Sequence, residues 1–404
     1  MNSVGTDVSK GKSMVAVMRQ FGEVVAEPVE YSHTIDGLKE LVAFLKSIDG
    51  EIKVVMEHTG KYYEPIAQEL YNSGFFVSVV NAVLIHNYGN NTIRKVKTDK
   101  KDAVKIVNYA LSNWSNLIRY RPDEDVRQLL KTYNRQYNKY VNMKVSLINN
   151  LMSITEQTFP DVRRLFTSPP RRKDGHEKWV DFLGKFWHCR YISGMTETNF
   201  YERYTKWCRK NGYLTSKTKA AKIYAAANEH VGVLPENEST KLLITQSVAQ
   251  LNSICETLTV IRTEMHMLST QLPEYPVVMA MCGVGETLGP QLMAEIGDVT
   301  RFHRKQSLVA FAGVDVPPYQ SGKYESKHRG ISKKGPPLLR KSLFQVMACL
   351  LQTSPAEDKV YQFLDKKRRE GKHFYVYMMA GTNKFLRIYY ARVIEYLRAS
   401  EISV

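Results

Sequence analysis

Val4-Gly5-Thr6-Asp7-Val8-Ser9-Lys10 is a strand-like apolar run broken by one carboxylate, and its reading decides the fold of the first part of the chain. Asp7 stands where an apolar side chain belongs, which is costly unless a cation compensates the charge. Val54-Val55-Met56-Glu57-His58-Thr59-Gly60 repeats the pattern with Glu57. Working outward, Ser3 to Asp7 reads as a first strand and Ser13 to Met18 as a second, leading through Gly22 into a third around Val24 to Tyr31. Leu38, Leu41, Val42 and Leu45 recur at three- and four-residue steps and predict a helix over 35–48, ended by Gly50. Ile52 to Met56 then reads as a buried strand, Tyr63 to Leu70 as a helix closing near Gly74, and Phe75 to Val80 as another strand.

Three early strands followed by alternating helix and strand is the order of an α/β domain of the ribonuclease-H-like kind. A doubly wound nucleotide-binding domain competes, but no G-x-G-x-x-G follows the first strand. Lys97-Thr98-Asp99-Lys100-Lys101-Asp102-Ala103 opens the next helical pattern. At 100° per residue, Asp99, Asp102, Ala103, Ile106 and Ala110 share a face while Lys101 and Lys105 point away. An N-cap role for Asp99 and a helix-dipole role for Asp102 account for that pair alone, but not for Asp7 and Glu57. Together the four acids point to a metal centre, in which two Mg²⁺ ions, or Mn²⁺ as a substitute, activate a water or hydroxyl against a phosphodiester. Arg94, Lys95, Lys97, Lys100 and Lys101 flank these acids and suit the phosphate backbone. His58, beside Glu57, could act as a base next to the metal, but reads more simply as a polar residue closing its strand.

The chain of 404 residues is long enough for two or three domains, and its formal charge of +17 favours polyanionic partners. The N-terminus has neither a basic n-region nor an apolar h-region, so no signal peptide is expected there, and no apolar run reaches the length of a membrane span. Cys189, Cys208, Cys255, Cys282 and Cys349 are scattered and never form C-x-x-C, as expected of reduced thiols in a cytoplasmic protein.

The middle of the chain reads as long helices. Val126, Leu130, Tyr133, Tyr137, Tyr140, Lys144, Leu147, Leu151 and Ile154 form a heptad seam with one polar member. A second seam runs through Ile244, Val248, Leu251, Cys255, Leu258, Arg262, Met265 and Leu272. Such regular heptads favour self-association as a coiled coil; packing of the two seams on each other within one chain is the alternative. Between them, Trp179, Trp187 and Trp207 read mostly as core, with Arg171-Arg172-Lys173 as a basic patch.

Past Pro273 and Pro276 the character changes. Cys282-Gly283-Val284-Gly285 opens a helix through Leu288, Leu292 and Ile296 to Gly297, and Gly283 and Gly285 could expose backbone N–H groups to a phosphate. A simple helix entry explains them equally. Next come Phe311-Ala312-Gly313-Val314-Asp315, Gln320-Ser321-Gly322 and Arg329-Gly330-Ile331-Ser332-Lys333-Lys334-Gly335. From Gly322 to Lys341 there are seven Lys or Arg and one acid, among them Lys323, Lys327, Arg329, Lys333 and Lys334. Ser321 thus sits in a turn amid cations able to hold a phosphate, although a serine before glycine is also ordinary turn chemistry.

These blocks, in this order, resemble the DEDD transposases, insertion-sequence recombinases related to the Piv and MooV invertases and including members guided by a structured bridge RNA. The resemblance covers nearly the whole chain except the middle segment. It implies a RuvC-like domain over 1–120, coiled-coil helices with an aromatic and basic insert over 121–272, and a mainly helical transposase domain over 273–404. It also implies that Ser321 is a nucleophile joined covalently to DNA, that Asp7, Glu57, Asp99 and Asp102 act through Mg²⁺ at the same composite site, and that a homodimer or tetramer forms. The sequence departs from the family in carrying Cys282 before Gly-Val-Gly and in a long middle segment. A junction-resolving endonuclease would use the same acids but leave the serine block without a role. A non-catalytic nucleic-acid scaffold would leave the acids unexplained.

Overall fold

The computed structural model describes residues 1–58, 60–88, 98–122, 124–317, 320, 321, 324, 325 and 330–402, with the backbone alone for 320, 321, 324, 325, 401 and 402. The chain divides into two units, Met1–Pro122 and Asp123–Val404. Among the described residues no helix is long and apolar enough to cross a membrane.

The first unit is a mixed five-stranded sheet, with β1 (Asn2–Ser9), β2 (Lys12–Arg19), β3 (Val24–Ser32), β4 (Ile52–Glu57) and β5 (Phe76–Val80) in the order β3-β2-β1-β4-β5. β1, β2 and β3 pair antiparallel, while β4 runs parallel to both β1 and β5. The helices are α1 (Ile35–Lys46), α2 (Glu64–Asn72), α3 (Ala82–Asn87) and α4 (Asp99–Ser112). The periodicities locate every strand and the helices α1, α2 and α4, with ends shifted by a few residues; only the short α3 gives no sequence signal. One side of the sheet buries Val4, Val15, Val54, Met56 and Val77 with Leu41, Leu45, Ile66 and Leu70 of α1 and α2. The other side is covered by α4, whose Ala103, Ile106, Val107 and Ala110 are buried.

The second unit is helical. α5 (Asp125–Thr155) and α10 (Glu238–Thr270) pack along each other. They run antiparallel, because Arg127 at the start of α5 bonds Glu274 just beyond α10, whereas Leu151 near the end of α5 packs with Ile244 and Val248. The two heptad seams are therefore partnered within the chain. Lys144, the polar seam member, is matched by Glu177 at 3.1 Å.

The segment between these helices holds α6 (Lys178–Leu183), α7 (Cys189–Ser193), α8 (Glu197–Lys210) and α9 (Lys217–Glu229). Its aromatics form a core, with Phe182, Phe186, Phe200 and Tyr204 fully buried. The remaining elements are α11 (Tyr275–Met279), α12 (Leu288–Ile296), α13 (Lys305–Ala312), a short hairpin of β6 (Gln320–Ser321) and β7 (Tyr324–Glu325), α14 (Pro337–Thr353), α15 (Lys359–Arg369) and α16 (Phe374–Ile402). Leu130, Ile261 and Met265 of the long pair share one core with α12, α13, α14 and α16. Cys189, Cys208 and Cys255 are buried thiols, and Cys282 is exposed.

Candidate active site

The parallel β1–β4 ladder ends with Thr6 opposite Met56, so Asp7 and Glu57 are the next residues on neighbouring strands. Such strands stand roughly 5 Å apart. Side chains alternate along a strand, and Asp7 shares its face with Gly5 and Ser3. That is the α4 face: Ser3 Oγ donates to the Val107 carbonyl at 3.2 Å, and a Cβ on Gly5 would stand 2.4 Å from the Ala103 carbonyl oxygen. Glu57 likewise shares its face with Val55, which packs on Ile106 and Ala110. Thr98 is the N-cap of α4, its hydroxyl accepting from the Lys101 amide at 3.3 Å. The N-cap alternative for Asp99 is thus overturned, and Asp99 belongs to the first turn together with Asp102.

Burial follows that placement, since Asp7, Glu57 and Asp102 are half-buried and Asp99 is exposed. Lys12, opposite Ser9 at the far end of β1, has its pKa raised by a hydrogen bond and charge interaction with Glu30, with a lesser contribution from Asp99. The four acids offer only carboxylate oxygens, the donor type preferred by hard divalent cations. Among the described residues, no three His, Cys, Asp or Glu side chains stand close enough to enclose one ion. Lys100 and Lys101 are exposed beside the acids; Arg94, Lys95 and Lys97 lie outside the described residues.

In the second unit, Ser321 pairs with Tyr324 and Gln320 with Glu325 in the β6–β7 hairpin. Lys323, Lys327 and Arg329 lie outside the described residues, and Lys333 and Lys334 are exposed. The hairpin springs from a clamped base that sequence reasoning missed. Ser332 Oγ donates to the Asp315 carboxylate, the Ser332 amide to the Asp315 carbonyl at 2.9 Å, and the Lys333 amide to the Gly313 carbonyl at 3.0 Å. Arg340 Nη1 donates to the carbonyls of Gly335 at 2.7 Å and Ala312 at 3.2 Å. Gly335 is required here, because a Cβ would collide with the Phe311 carbonyl oxygen at 2.0 Å. The available signal was that Asp315 and Ser332 sit in the two sequence blocks flanking Ser321.

Gly283 has φ +76°, and a Cβ there would press on Leu350 at 2.9 Å, so its packing on α14 already demands glycine. No neighbour dictates Gly285, whose Cβ would meet nothing within 4 Å. α12, which follows, is buried along its length apart from Leu288. Its Glu295 accepts from Asn134 Nδ2 at 2.8 Å; Asn138 bonds Asn134 in turn, and Lys341 Nζ donates to Asn138 Oδ1 at 2.9 Å.

The first unit is thus a mixed α/β sheet with Asp7 and Glu57 on neighbouring strands, and the second is a helical unit that carries the Ser321 hairpin. Residues 4–160 match the model of the IS110-type DEDD transposase, and residues 275–362 match the one described as transposase IS116/IS110/IS902 family. The chain belongs to this IS110 family of transposases. It is 20% identical over 365 residues to the pilin gene-inverting protein of Moraxella bovis, covering 89% of this chain and 87% of that one. The pilin gene-inverting protein of Moraxella lacunata is 20% identical over 340 residues, 84% and 79% of the two chains. The insertion element IS116 uncharacterized 44.8 kDa protein of Streptomyces clavuligerus is 23% identical over 275 residues, 68% and 65% of the two chains.

Proposed function

We propose that the first unit is a ribonuclease-H-like domain of the RuvC type, and that this transposase cuts and rejoins DNA with Asp7, Glu57, Asp99 and Asp102 acting together with Ser321. The observation that carries the reading is that Asp7, near the end of β1, and Glu57, the last residue of β4, follow the paired Thr6 and Met56 on adjacent strands, on the face covered by α4, whose first turn holds Asp99 and Asp102. By donor type these acids suit Mg²⁺, or Mn²⁺ as a substitute. Such an ion, when bound, would offset charge on the phosphodiester and make a hydroxyl easier to deprotonate.

Ser321 Oγ attacks phosphorus and forms a serine–phosphate ester as the bond to the leaving DNA oxygen breaks, with a proton going to that oxygen. A second DNA hydroxyl then displaces the serine, so the bond energy is conserved for rejoining. Lys333 and Lys334, exposed beside the clamp, together with Lys323, Lys327 and Arg329 would neutralise the phosphoryl oxygens. Gly283 and Gly285 would let a phosphate approach the chain before α12. Arg94, Lys95, Lys97, Lys100 and Lys101 would hold the backbone beside the acids. A structured RNA guides the choice of site in this reading. Self-association uses the outward side of the α5–α10 pair, where Leu129, Met143, Val260 and Met267 are exposed.

The test incubates the protein and its co-purifying RNA with circular element DNA and Mg²⁺. A covalent adduct that survives denaturation and maps to Ser321 is expected, together with strand joining. Ser321→Ala should lose both while still binding DNA, and Asp7→Ala or Asp102→Ala should lose cleavage. Normal recombination by Ser321→Ala would overturn the serine mechanism, and full activity in excess chelator would overturn the metal.

A further inference from the structure

The junction of α15 and α16 carries a surface that the chemistry above does not use. α15 ends in Lys366-Lys367-Arg368-Arg369, and Gly371, at φ +70°, turns the chain into Lys372-His373-Phe374-Tyr375-Val376. Lys367 pairs with Glu370 at 2.7 Å and Arg369 with Asp365 at 2.6 Å. Lys366, Arg368 and Lys372 are exposed and enter no ion pair among the described residues. Glu370 sits in their field: the Lys367 hydrogen bond first, then the charges of Lys367, Lys366 and Lys372, hold its carboxyl below the usual range.

Beside this excess of cations the aromatic rings face water. Phe374 is 42% exposed and Tyr375 62%, whereas Phe385 and Tyr389, farther along the same helix, are buried in the core. Phe374 and Tyr375 meet edge to face at 5.3 Å between centroids, and both lean on Phe344, at 5.9 and 6.2 Å. His373 lies 5.8 Å from Tyr375. Ring faces left in water beside unpaired cations fit a ligand that has both flat apolar faces and regularly spaced negative charge. A duplex hides the faces of its bases, and protein interfaces are depleted in lysine.

We propose that the α15–α16 junction binds single-stranded DNA, with Phe374 and Tyr375 stacking unpaired bases while Lys366, Arg368 and Lys372 hold the phosphates. DNA is the fitting strand because the enzyme recombines DNA, and exchanging strands unpairs bases. The site is independent of the acids and of Ser321.

The experiment measures anisotropy of labelled oligo(dT), a duplex of equal length and oligo(U) with the full chain. Phe374→Ala/Tyr375→Ala should weaken oligo(dT) binding about tenfold or more and leave the duplex unchanged. Phe374→Leu/Tyr375→Leu keeps the apolar bulk and should show the same loss, which separates stacking from misfolding. Lys366→Gln/Arg368→Gln/Lys372→Gln should lower the slope of log affinity against log salt by about 2, at roughly 0.7 per phosphate. Undiminished oligo(dT) binding by the aromatic variants would overturn the proposal, as would an equal loss on duplex or a larger loss on oligo(U). A smaller particle mass by light scattering with DNA binding intact would make the surface a protein interface and overturn it too.

Discussion

Replacing Gly5 by alanine tests how closely α4 must lie on the sheet for the acids to work together. The new Cβ would stand 2.4 Å from the Ala103 carbonyl oxygen, 2.5 Å from the Val107 nitrogen and 2.7 Å from Val107 Cγ2. Ordinary Cβ contacts begin at 3.4 Å, so α4 has to lift by about 1 Å. The two nearest atoms are helix backbone and cannot rotate aside, which puts the change at the upper end of the range for overpacking, about 3 kcal/mol. For the unit Met1–Pro122 that corresponds to a melting temperature lower by roughly 10 °C. The same lift separates Asp99 and Asp102 on α4 from Asp7 on β1. A displacement of about 1 Å in a catalytic arrangement can cost on the order of 100-fold in rate. The assay pairs thermal unfolding followed by circular dichroism with Mg²⁺-dependent strand cleavage, measured well below the lowered transition. An unchanged melting temperature would refute the close packing. Lowered melting with full cleavage would refute joint action of the acids across that interface.

Glu274→Ala should destabilise the second unit by about 3–5 kcal/mol in urea unfolding, because it strands the buried Arg127 guanidinium, which now makes two hydrogen bonds to Glu274 at 2.5 and 2.9 Å. Arg127→Met/Glu274→Met should recover most of that loss; a double variant as weak as the single one would show that the charge pair itself is stabilising. Leu130→Ala should cost about 2–5 kcal/mol without changing the mass seen by light scattering, since Leu130 is fully buried within its own chain; dissociation at unchanged stability would show that it faces another copy. Burial holds His33 below the usual histidine range, with Ser13 Oγ at 2.7 Å from its ring. The unfolded chain therefore takes up the proton first, and stability should fall as pH drops from about 6.5 toward the folded-state value. His33→Gln should flatten that slope in urea unfolding between about pH 7.5 and about pH 5, and an unchanged slope would refute the assignment.

The N-terminal strands and helices were legible in the sequence because their signals are local: β-branched runs, three- and four-residue spacing, and glycines at positive φ such as Gly50 and Gly74. The face shared by Asp99, Asp102 and Ala103 follows from helical geometry alone, and the family follows from ordered blocks of residues. The sequence could not name the partner of each heptad seam. A seam states that an apolar stripe must be covered, and both a second copy and a returning helix cover it equally well. The return of the chain through residues 156–237 brings α10 back along α5 and decides the matter.

Tertiary structure also chose Thr98 over Asp99 as the cap, since capping depends on where the backbone leaves the extended conformation and not on the acid's identity. It joined Asp315 to Ser332 across 17 positions through a close backbone approach that only Gly335 permits. It left Phe374 and Tyr375 in water while burying Phe385 and Tyr389 on the same helix, because burial is set by what packs opposite each residue, and residue type alone does not contain that information.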